Sequence, residues 1–242
     1  MLKHRIIPVL LTDGNGQCVK PVAFERPYRK LGTMEQYIRV IESRNVDELI
    51  IIDIEATAQK REPNFAKLRS WCDNLFCPVT YGGGVRTLDH IRLALENGAD
   101  KVAIYTSAIV NPNFIELAAN KYGSQCITVV CDTYKDHFVC SGFGPIAFCN
   151  NMKNYGAGEI LLNSVDHDGT MDGYNINLIQ RVCVKTTLPV VALGGCGEPA
   201  HMHQALAAGA SAAAAGSMFL YTDHTPRSCA LELAEWGNEV RL

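Results

Sequence analysis

Apolar residues follow two alternating patterns along the chain, namely short β-branched runs and longer segments with helical spacing. This alternation is typical of βα units built on a parallel sheet. The pattern predicts strands at Arg5–Leu11, Glu48–Ile54, Val79–Tyr81, Lys101–Tyr105, Ile127–Asp132, Glu159–Ser164, Pro189–Leu193 and Ala212–Gly216. It predicts helices near 33–44, 64–73, 87–97, 113–121, 146–155, 177–185, 200–208 and 226–236. Eight units without a break in composition favour a single (β/α)8 TIM barrel, an α/β fold that spans residues 1–242.

Short motifs recur in the two halves of the chain at a nearly constant distance. Gly98-Ala99-Asp100-Lys101 resembles Gly209-Ala210-Ser211-Ala212, and Glu48-Leu49 resembles Glu159-Ile160. The glycines at 82–84 and 194–195 have the same relation. Several matches in register indicate two similar half-barrels of four units each.

Composition and charge disfavour several classes of function, namely nucleic-acid binding, membrane binding and metal binding. The chain is 48% hydrophobic and carries a net charge of -3 without a basic block, which disfavours a nucleic-acid or membrane partner. Its ten cysteines are scattered without a C-x-x-C motif, and long apolar segments are absent from the sequence, so we expect a cytoplasmic protein with reduced thiols. His201 and His203 come closest to a ligand pair, but their spacing is not that of a structural zinc site. We expect neither a metal nor a cofactor.

Glycine-rich turns and hydroxyl residues mark the ends of four predicted strands. In a TIM barrel this face carries the active site, and glycine turns that lead into helices bind phosphate through backbone amides. The candidate phosphate-binding residues are Gly83, Gly84, Thr106, Ser107, Gly194, Gly195, Gly216 and Ser217. Two such cradles, related by the repeat, predict a ligand with a phosphate at each end. The alternative is that the glycines serve only close packing.

Carboxylates at strand ends are the candidate acids and bases. Asp132 closes an apolar run and is the best of them, because proton transfer needs a carboxyl group held close to the substrate. Asp53 and the pair Asp168-Gly169 are further candidates for substrate binding, although capping a loop or helix explains the two aspartates equally well. Lys20 lies in a connection long enough to form a substrate lid, or it is an ordinary solvated lysine.

Four charged residues of alternating sign open the first, second, fourth and sixth predicted strands. These residues are Arg5, Glu48, Lys101 and Glu159. Strand starts meet at the bottom of a barrel, so the four side chains are able to form a ring of ion pairs there. Buried charges persist only when they are paired, and such a ring suggests a gate as well as a stabilising element.

Motifs spread over the whole chain are shared with one enzyme family. They are Arg5-Ile6-Ile7-Pro8, Asp47-Glu48-Leu49, Gly82-Gly83-Gly84-Val85, Gly98-Ala99-Asp100-Lys101-Val102, Tyr122-Gly123-Ser124-Gln125, Gly156-Ala157-Gly158-Glu159-Ile160-Leu161-Leu162, Asp166-His167-Asp168-Gly169-Thr170 and Leu193-Gly194-Gly195. The chain thereby resembles the cyclase subunit of imidazole glycerol phosphate synthase (HisF). In that family a glutaminase subunit docks on the barrel bottom and releases ammonia, which crosses the barrel to a bisphosphorylated ribulosyl substrate. The resemblance implies that the four charged residues form the ammonia gate and that Asp100 lies at the glutaminase interface.

The sequence departs from that family at the catalytic residues. Asp132 matches one of the two aspartates used for cyclisation, but Leu11 stands where the other is expected. Losing a general acid or base typically costs about 10²–10⁴-fold in rate. Asp13, two residues further on, is a possible substitute. Tyr105 replaces an asparagine of the family beside one phosphate cradle.

Leu11 together with Glu62-Pro63-Asn64 resembles the glycosyl-amidation-associated paralogues (WbuZ type). That resemblance implies that ammonia passes from a glutaminase through this barrel to an N-acetyl sugar amidotransferase at the top face, in surface-polysaccharide biosynthesis. The chain is then a subunit of a glutamine-dependent synthase whose own cyclase activity is in doubt. Two alternatives stay open. One is a working cyclase subunit of histidine biosynthesis, and the other is a non-catalytic barrel that binds a sugar phosphate.

Overall fold

The computed structural model describes residues 3–44, 46–73, 75–139 and 144–242. Within these residues the strands are β1 (Arg5–Thr12), β2 (Gln17–Lys20), β3 (Arg29–Thr33), β4 (Leu49–Asp53), β5 (Val79–Gly82), β6 (Lys101–Ile104), β7 (Ile127–Tyr134), β8 (His137–Phe138), β9 (Glu159–Ser164), β10 (Val190–Leu193) and β11 (Ala212–Ala215). Eight of them form a closed parallel barrel in the order β1-β4-β5-β6-β7-β9-β10-β11, and β11 pairs back onto β1. The predicted (β/α)8 barrel is therefore confirmed.

Helices surround this barrel. Within the described residues they are α1 (Met34–Glu42), α2 (Phe65–Cys72), α3 (Leu88–Glu96), α4 (Thr106–Val110), α5 (Asn113–Tyr122), α6 (Pro145–Asn154), α7 (Ile176–Lys185), α8 (Pro199–Ala207), α9 (Ser217–Tyr221) and α10 (Pro226–Glu235). Each of the eight predicted helices is present, with ends that agree to within two residues. None of the helices described is long and apolar enough to cross a bilayer.

Two hydrophobic cores result from the alternation of side chains along the barrel strands. Residues that point outward pack under the helices and form the larger core. Residues that point inward form a smaller core inside the barrel, which includes Ile7, Ile50, Leu161 and Val191. Because side chains alternate with a period of two, Arg5 and Leu11 point to the same interior from opposite ends of β1. The barrel interior thus has a floor, where the strands begin, and a mouth, where they end.

The two halves of the barrel repeat one another in the structure. β10, α8, β11 and α9 each begin 111 residues after β5, α3, β6 and α4, respectively. The short helices α4 and α9 follow equivalent strands and place Thr106 and Ser217 at their first positions. The internal repeat seen in the sequence therefore corresponds to repeated structural units.

The long connection after β1 is ordered as a hairpin. β2 pairs with the end of β1, with Leu11 opposite Val19, and β3 pairs with β2, both in antiparallel orientation. The sequence pattern did not predict these strands, because β3 has no buried residue and no apolar alternation. The hairpin brings Lys20 and the segment after it over the barrel mouth.

Gly195 lies where a side chain is not tolerated, and this gives a test of the mouth architecture. Its φ is +100°, and a Cβ there would overlap the carbonyl oxygen of Gly173. We expect Gly195→Ala to lower the free energy of unfolding by about 3 kcal/mol, since backbone strain and overlap add. Gly144→Ala is the control, because its φ is -71° and a Cβ there meets nothing within 4 Å. Equal losses of stability in urea unfolding of the two variants would contradict the assignment.

Candidate functional site

The floor of the barrel is a closed ring of four charges. Arg5 donates to Glu48 Oε2 at 2.7 Å and also to Glu159 Oε1. Lys101 Nζ lies 3.0 Å from Glu48 Oε1 and 3.1 Å from Glu159 Oε2. Each cation therefore contacts both anions, and the ring predicted from the strand starts is present.

Neutral partners and mutual attraction keep this ring charged. The hydroxyls of Thr80 and Thr128 donate to Glu48 and Glu159. Burial raises the pKa of Glu48, but Lys101 and Arg5 outweigh this effect and hold the pKa below its ordinary value. The pKa of Arg5 is raised: burial lowers it, and the two glutamates more than compensate. Glu48 and Arg5 thus stay ionised at neutral pH, and each cation of the ring is paired with both carboxylates.

Between floor and mouth the interior is apolar. Ile7, Val9, Ile50, Leu161 and Val191 line it, and β11 contributes only the small side chains of alanines. A hydrocarbon lining excludes ions and gives a neutral molecule no partner that would retain it. Between floor and mouth the interior therefore offers an ion no polar partner.

At the mouth, one apolar and one polar wall face each other. Leu11 of β1 is buried and belongs to the interior core. Asp132 of β7 lies on the strand opposite β1 in the barrel order and accepts a hydrogen bond of 2.9 Å from Asn163 Nδ2. The structure therefore places Leu11 across the mouth from the candidate acid.

Burial raises the pKa of Asp132 to about 6, with a further contribution from the charge of Asp168, while the hydrogen bond from Asn163 acts in the opposite direction. A carboxyl group with a pKa near neutrality exchanges protons readily under physiological conditions. Asp132 is thus suited to acid–base chemistry, as its position at a strand end predicts.

Lys20 closes the mouth from above. Its Nζ contacts both carboxylate oxygens of Asp168, at 2.9 and 3.1 Å, and both residues are buried. The same ammonium group lies beside Gly216, where a Cβ would be 3.3 Å from it. The alternative that Lys20 is a solvated lysine is therefore wrong. Gly169, the neighbour of Asp168, packs against the backbone of Pro21 in the segment after Lys20.

Asp53 and Asp13 are engaged in local structure. The carboxylate of Asp53 pairs with both terminal nitrogens of Arg61 at 2.6 Å and caps the backbone amides of residues 55 and 56. This hydrogen-bonded pairing raises the pKa of Arg61. Asp13 lies beyond the end of β1, and its Oδ1 accepts from the amides of Asn15 and Gln17. Asp13 as a substitute acid stays a prediction.

The predicted phosphate cradles consist of tightly packed turns. A Cβ at Gly83 would overlap the carbonyl oxygen of Asp53, and one at Gly194 that of Ser164. At Gly84, a Cβ would lie 2.9 Å from that of Ala56. Packing alone therefore requires these glycines, so phosphate binding stays a prediction.

Three polar or aromatic residues beside the cradles have different surroundings. Ser107 Oγ donates to the carbonyl of Val85 at 2.7 Å, whereas Ser217 Oγ is buried without a partner among the described residues. The Tyr105 ring packs edge-on against Phe138 of β8.

Sequence reasoning missed two residues of this site. Asn163 is recognisable in retrospect, because it lies four positions after Glu159 and therefore on the same inward face of β9. Arg61 lies in a loop and carries no periodic signal.

The remaining candidates lie outside the mouth. Asp100 is exposed at the floor, and its side chain accepts from the amide of Val79 at 2.8 Å. His201 accepts from the amide of Gly197, and His203 lies 2.7 Å from the side-chain nitrogen of Asn238. The nine cysteines of the described segments are free thiols; Cys140 lies outside these segments.

We expect the floor ring to stabilise the folded protein at neutral pH and to lose this contribution at acidic pH. Because the pKa of Glu48 is lowered on folding, its contribution is complete above its ordinary value of 4.5 and is lost as the pH falls below it. Glu48→Gln leaves Lys101 and Arg5 short of an anion, so we expect a loss of about 3–5 kcal/mol at pH 7. The difference from wild type should shrink in urea unfolding at acidic pH. Glu96→Gln, which breaks an exposed pair with Arg92, is the control and should have little effect. A difference that does not change with pH would contradict the ring's role.

The raised pKa of Asp132 predicts a pH dependence of stability that is opposite in sign to that of Glu48. Its pKa is raised on folding to about 6, so ionisation destabilises the folded protein as the pH rises from 4 through 6. Carboxyl ¹³C NMR should show a titration midpoint near 6 that is absent in Asp132→Asn. The stability of wild type should fall relative to that variant over the same pH range. A midpoint near 4 would show that the carboxyl group is solvated.

Comparisons with known proteins agree with this architecture. The model of a family described as "Histidine biosynthesis protein" matches residues 5–225. A protein of Vibrio vulnificus named "Putative imidazole glycerol phosphate synthase subunit hisF2" is 39% identical over 254 residues, which cover all of this chain and 92% of the relative. A protein of Campylobacter jejuni with the same name is 37% identical over 250 residues, with both chains fully covered. The chain therefore belongs to the histidine biosynthesis protein family, as a barrel subunit of the HisF type.

Proposed function

We propose that this chain is the ammonia-conducting barrel of a glutamine-dependent amidation system. It receives ammonia from a glutaminase at the floor and passes it to an N-acetyl sugar amidotransferase at the mouth, which amidates a nucleotide-linked sugar in surface-polysaccharide biosynthesis. The observation that carries the proposal is the combination of a complete charged ring with Leu11 in the mouth. The chain retains what conduction needs and lacks one of the two acids that cyclisation needs.

The floor has the features of a docking surface. Phe76 precedes β5 and is 95% exposed, which is unusual for an aromatic side chain. It lines a groove of about 430 Å³ together with Asp47, Arg227 and Arg241. An apolar anchor next to mixed charges is typical of protein interfaces and supports glutaminase binding on this face. Asp100 is accessible on the same face.

The mouth supports the transfer of a small molecule. The cavity next to Leu11, Lys20 and Asn163 has a volume of only about 10 Å³, far too small for a sugar bisphosphate in this conformation. Around the mouth, Val22, Tyr134, Val139 and Tyr221 expose between 44% and 57% of their surface. These side chains favour a second protein partner at the top face.

A second function, a working cyclase subunit, is favoured by Asp132. Its pKa of about 6 is suited to proton transfer, and the relatives carry the name of that synthase. In this case Asp132 acts alone or with Asp13, and the hairpin that carries Lys20 opens to admit the substrate.

A cyclase assay separates the two functions. Purified protein is incubated with the bisphosphorylated ribulosyl substrate of histidine biosynthesis and saturating ammonium salt, and loss of substrate absorbance is followed. We expect no turnover by wild type, because Leu11 cannot transfer a proton. Leu11→Asp is tested beside it, with Leu11→Asp/Asp132→Asn as the matched control. Gain of turnover in the single but not in the double variant would show a substrate site that lacks one acid. Turnover by wild type at the rate of an ordinary cyclase would refute the conduit proposal.

Reconstitution tests conduction directly. The barrel, a glutaminase subunit and the sugar amidotransferase are combined with a nucleotide-linked N-acetyl sugar, and the amidated product is measured by mass spectrometry. We expect Lys101→Met to lower the ratio of glutamine-dependent to ammonium-dependent amidation, since the broken ring leaves unpaired charge in the path. Lys185→Met, at an exposed position of α7, is the control. An unchanged ratio in Lys101→Met would contradict passage through the floor.

A further inference from the structure

We propose that a basic rim beside the mouth is the docking surface for acidic side chains of the protein partner at the top face. The basic rim consists of Arg29 of β3, Tyr37 of α1 and Tyr221 at the end of α9. The inference rests on the proposed function, in which this partner is the sugar amidotransferase. It adds the chemistry by which the barrel recognises that partner.

The cations of β3 have no acidic partner in the described part of the chain. Arg29 and the next residue, Lys30, are both exposed, and neither makes an ion pair there. By contrast, the preceding Arg26 pairs with Glu55 at 3.0 Å. The chain as a whole carries a net charge of -3, so β3 differs in sign from the rest of the molecule. Such a local positive charge attracts an acidic surface and repels a basic one.

Tyr221 holds the side chain of Arg29 in place. The guanidinium carbon lies 5.3 Å from the centroid of the Tyr221 ring, within the range of a cation–π interaction. The tyrosine itself is 44% exposed. A stacked guanidinium loses less conformational freedom on binding than a freely rotating one, and its planar fork matches a carboxylate through two hydrogen bonds. The pair therefore offers a pre-organised partner for an aspartate or glutamate side chain.

Tyr37 joins the rim from a third element. Its hydroxyl donates to the carbonyl of Leu31, two residues after Arg29, at 3.4 Å. Burial raises the pKa of this hydroxyl, the charges of Cys18 and Tyr221 raise it further, and the Arg29 guanidinium lowers it, so these groups are neighbours. Three separate elements therefore bring one guanidinium and two tyrosines together. Arginine and tyrosine are enriched among the residues that contribute most to binding in protein interfaces.

The surroundings of the rim favour a protein over a small anion. Tyr221 belongs to the exposed residues around the mouth, together with Val22, Tyr134 and Val139. A small anion makes no use of the apolar surface of these side chains. A protein buries such surface while its acidic groups pair with the rim.

Binding of the purified sugar amidotransferase to the immobilised barrel tests the proposal, by biolayer interferometry at low and at high sodium chloride concentration. We expect the affinity of wild type to fall at high salt, because screening weakens exposed charge pairs. Arg29→Glu should weaken binding at low salt by about tenfold, chiefly through slower association, and should reduce the salt dependence. Arg39→Glu is the matched control, because Arg39 of α1 is also exposed and makes no ion pair in the described part of the chain.

Further variants separate charge, shape and folding. Tyr221→Phe keeps the ring and should bind as wild type does, whereas Tyr221→Ala removes the support of Arg29 and should weaken binding. Arg29→Lys keeps the charge without the planar fork, so its affinity should lie between those of wild type and Arg29→Glu. If Arg29→Glu does not fold, Arg29→Gln serves the same purpose.

The outcomes distinguish the basic rim from the proposed function. Wild-type affinity in Arg29→Glu, or equal losses in Arg29→Glu and Arg39→Glu, would overturn the rim as a docking surface and leave the proposed function standing. Binding of uridine diphosphate to the barrel alone, lost in Arg29→Glu, would identify a nucleotide site and overturn the proposal for a protein partner. No binding of the amidotransferase by wild type would refute the proposed function, and the docking surface with it.

Discussion

The alternation of side chains along the barrel strands is the constraint on which floor, interior and mouth all depend. A strand that buries one residue in the interior sends the next one under the helices. The ionic groups at the start of β1 and β9 are therefore in line with Leu11 and Asn163 at the ends of the same strands. Charge is tolerated at the floor only because each cation meets two carboxylates, and the apolar layers above it require no polar partner.

The mouth differs from the floor because its polar groups are incompletely satisfied. At the floor, threonine hydroxyls supply further hydrogen bonds to the glutamates. At the mouth, Asp132 has a raised pKa and Asn163 keeps an unpaired oxygen. Unsatisfied buried groups are costly, and they persist at positions where a ligand completes them. This contrast distinguishes the fully paired charge cluster of the floor from the incompletely paired polar groups of the mouth.

Much of this arrangement was predictable from local sequence patterns. The eight barrel strands, their helices and the inward position of the four floor charges follow from periodicity and strand starts. The pairing of Lys20 with Asp168 was not predictable, because it joins residues 148 positions apart through a hairpin whose third strand has no apolar alternation. The bidentate contact between Arg61 and Asp53 depends on loop conformation, which residue spacing does not encode. The sequence identified the glycine turns and favoured phosphate binding as their role. Their close backbone contacts mean that packing explains these glycines as well.

The opposition of β1 and β7 across the barrel has a geometric consequence. Among the described residues of the mouth, Asp132, Asn163 and Asp168 belong to β7, β9 and the loop after β9, and Lys20 of β2 reaches across to Asp168, whereas Leu11 and Val9 of β1 present only hydrocarbon. In the proposed function the exit is thus eccentric, because a molecule that emerges from the barrel axis meets these hydrogen-bonding groups on one side only. The amidotransferase of the proposed function would then have to dock asymmetrically on a nearly symmetric barrel.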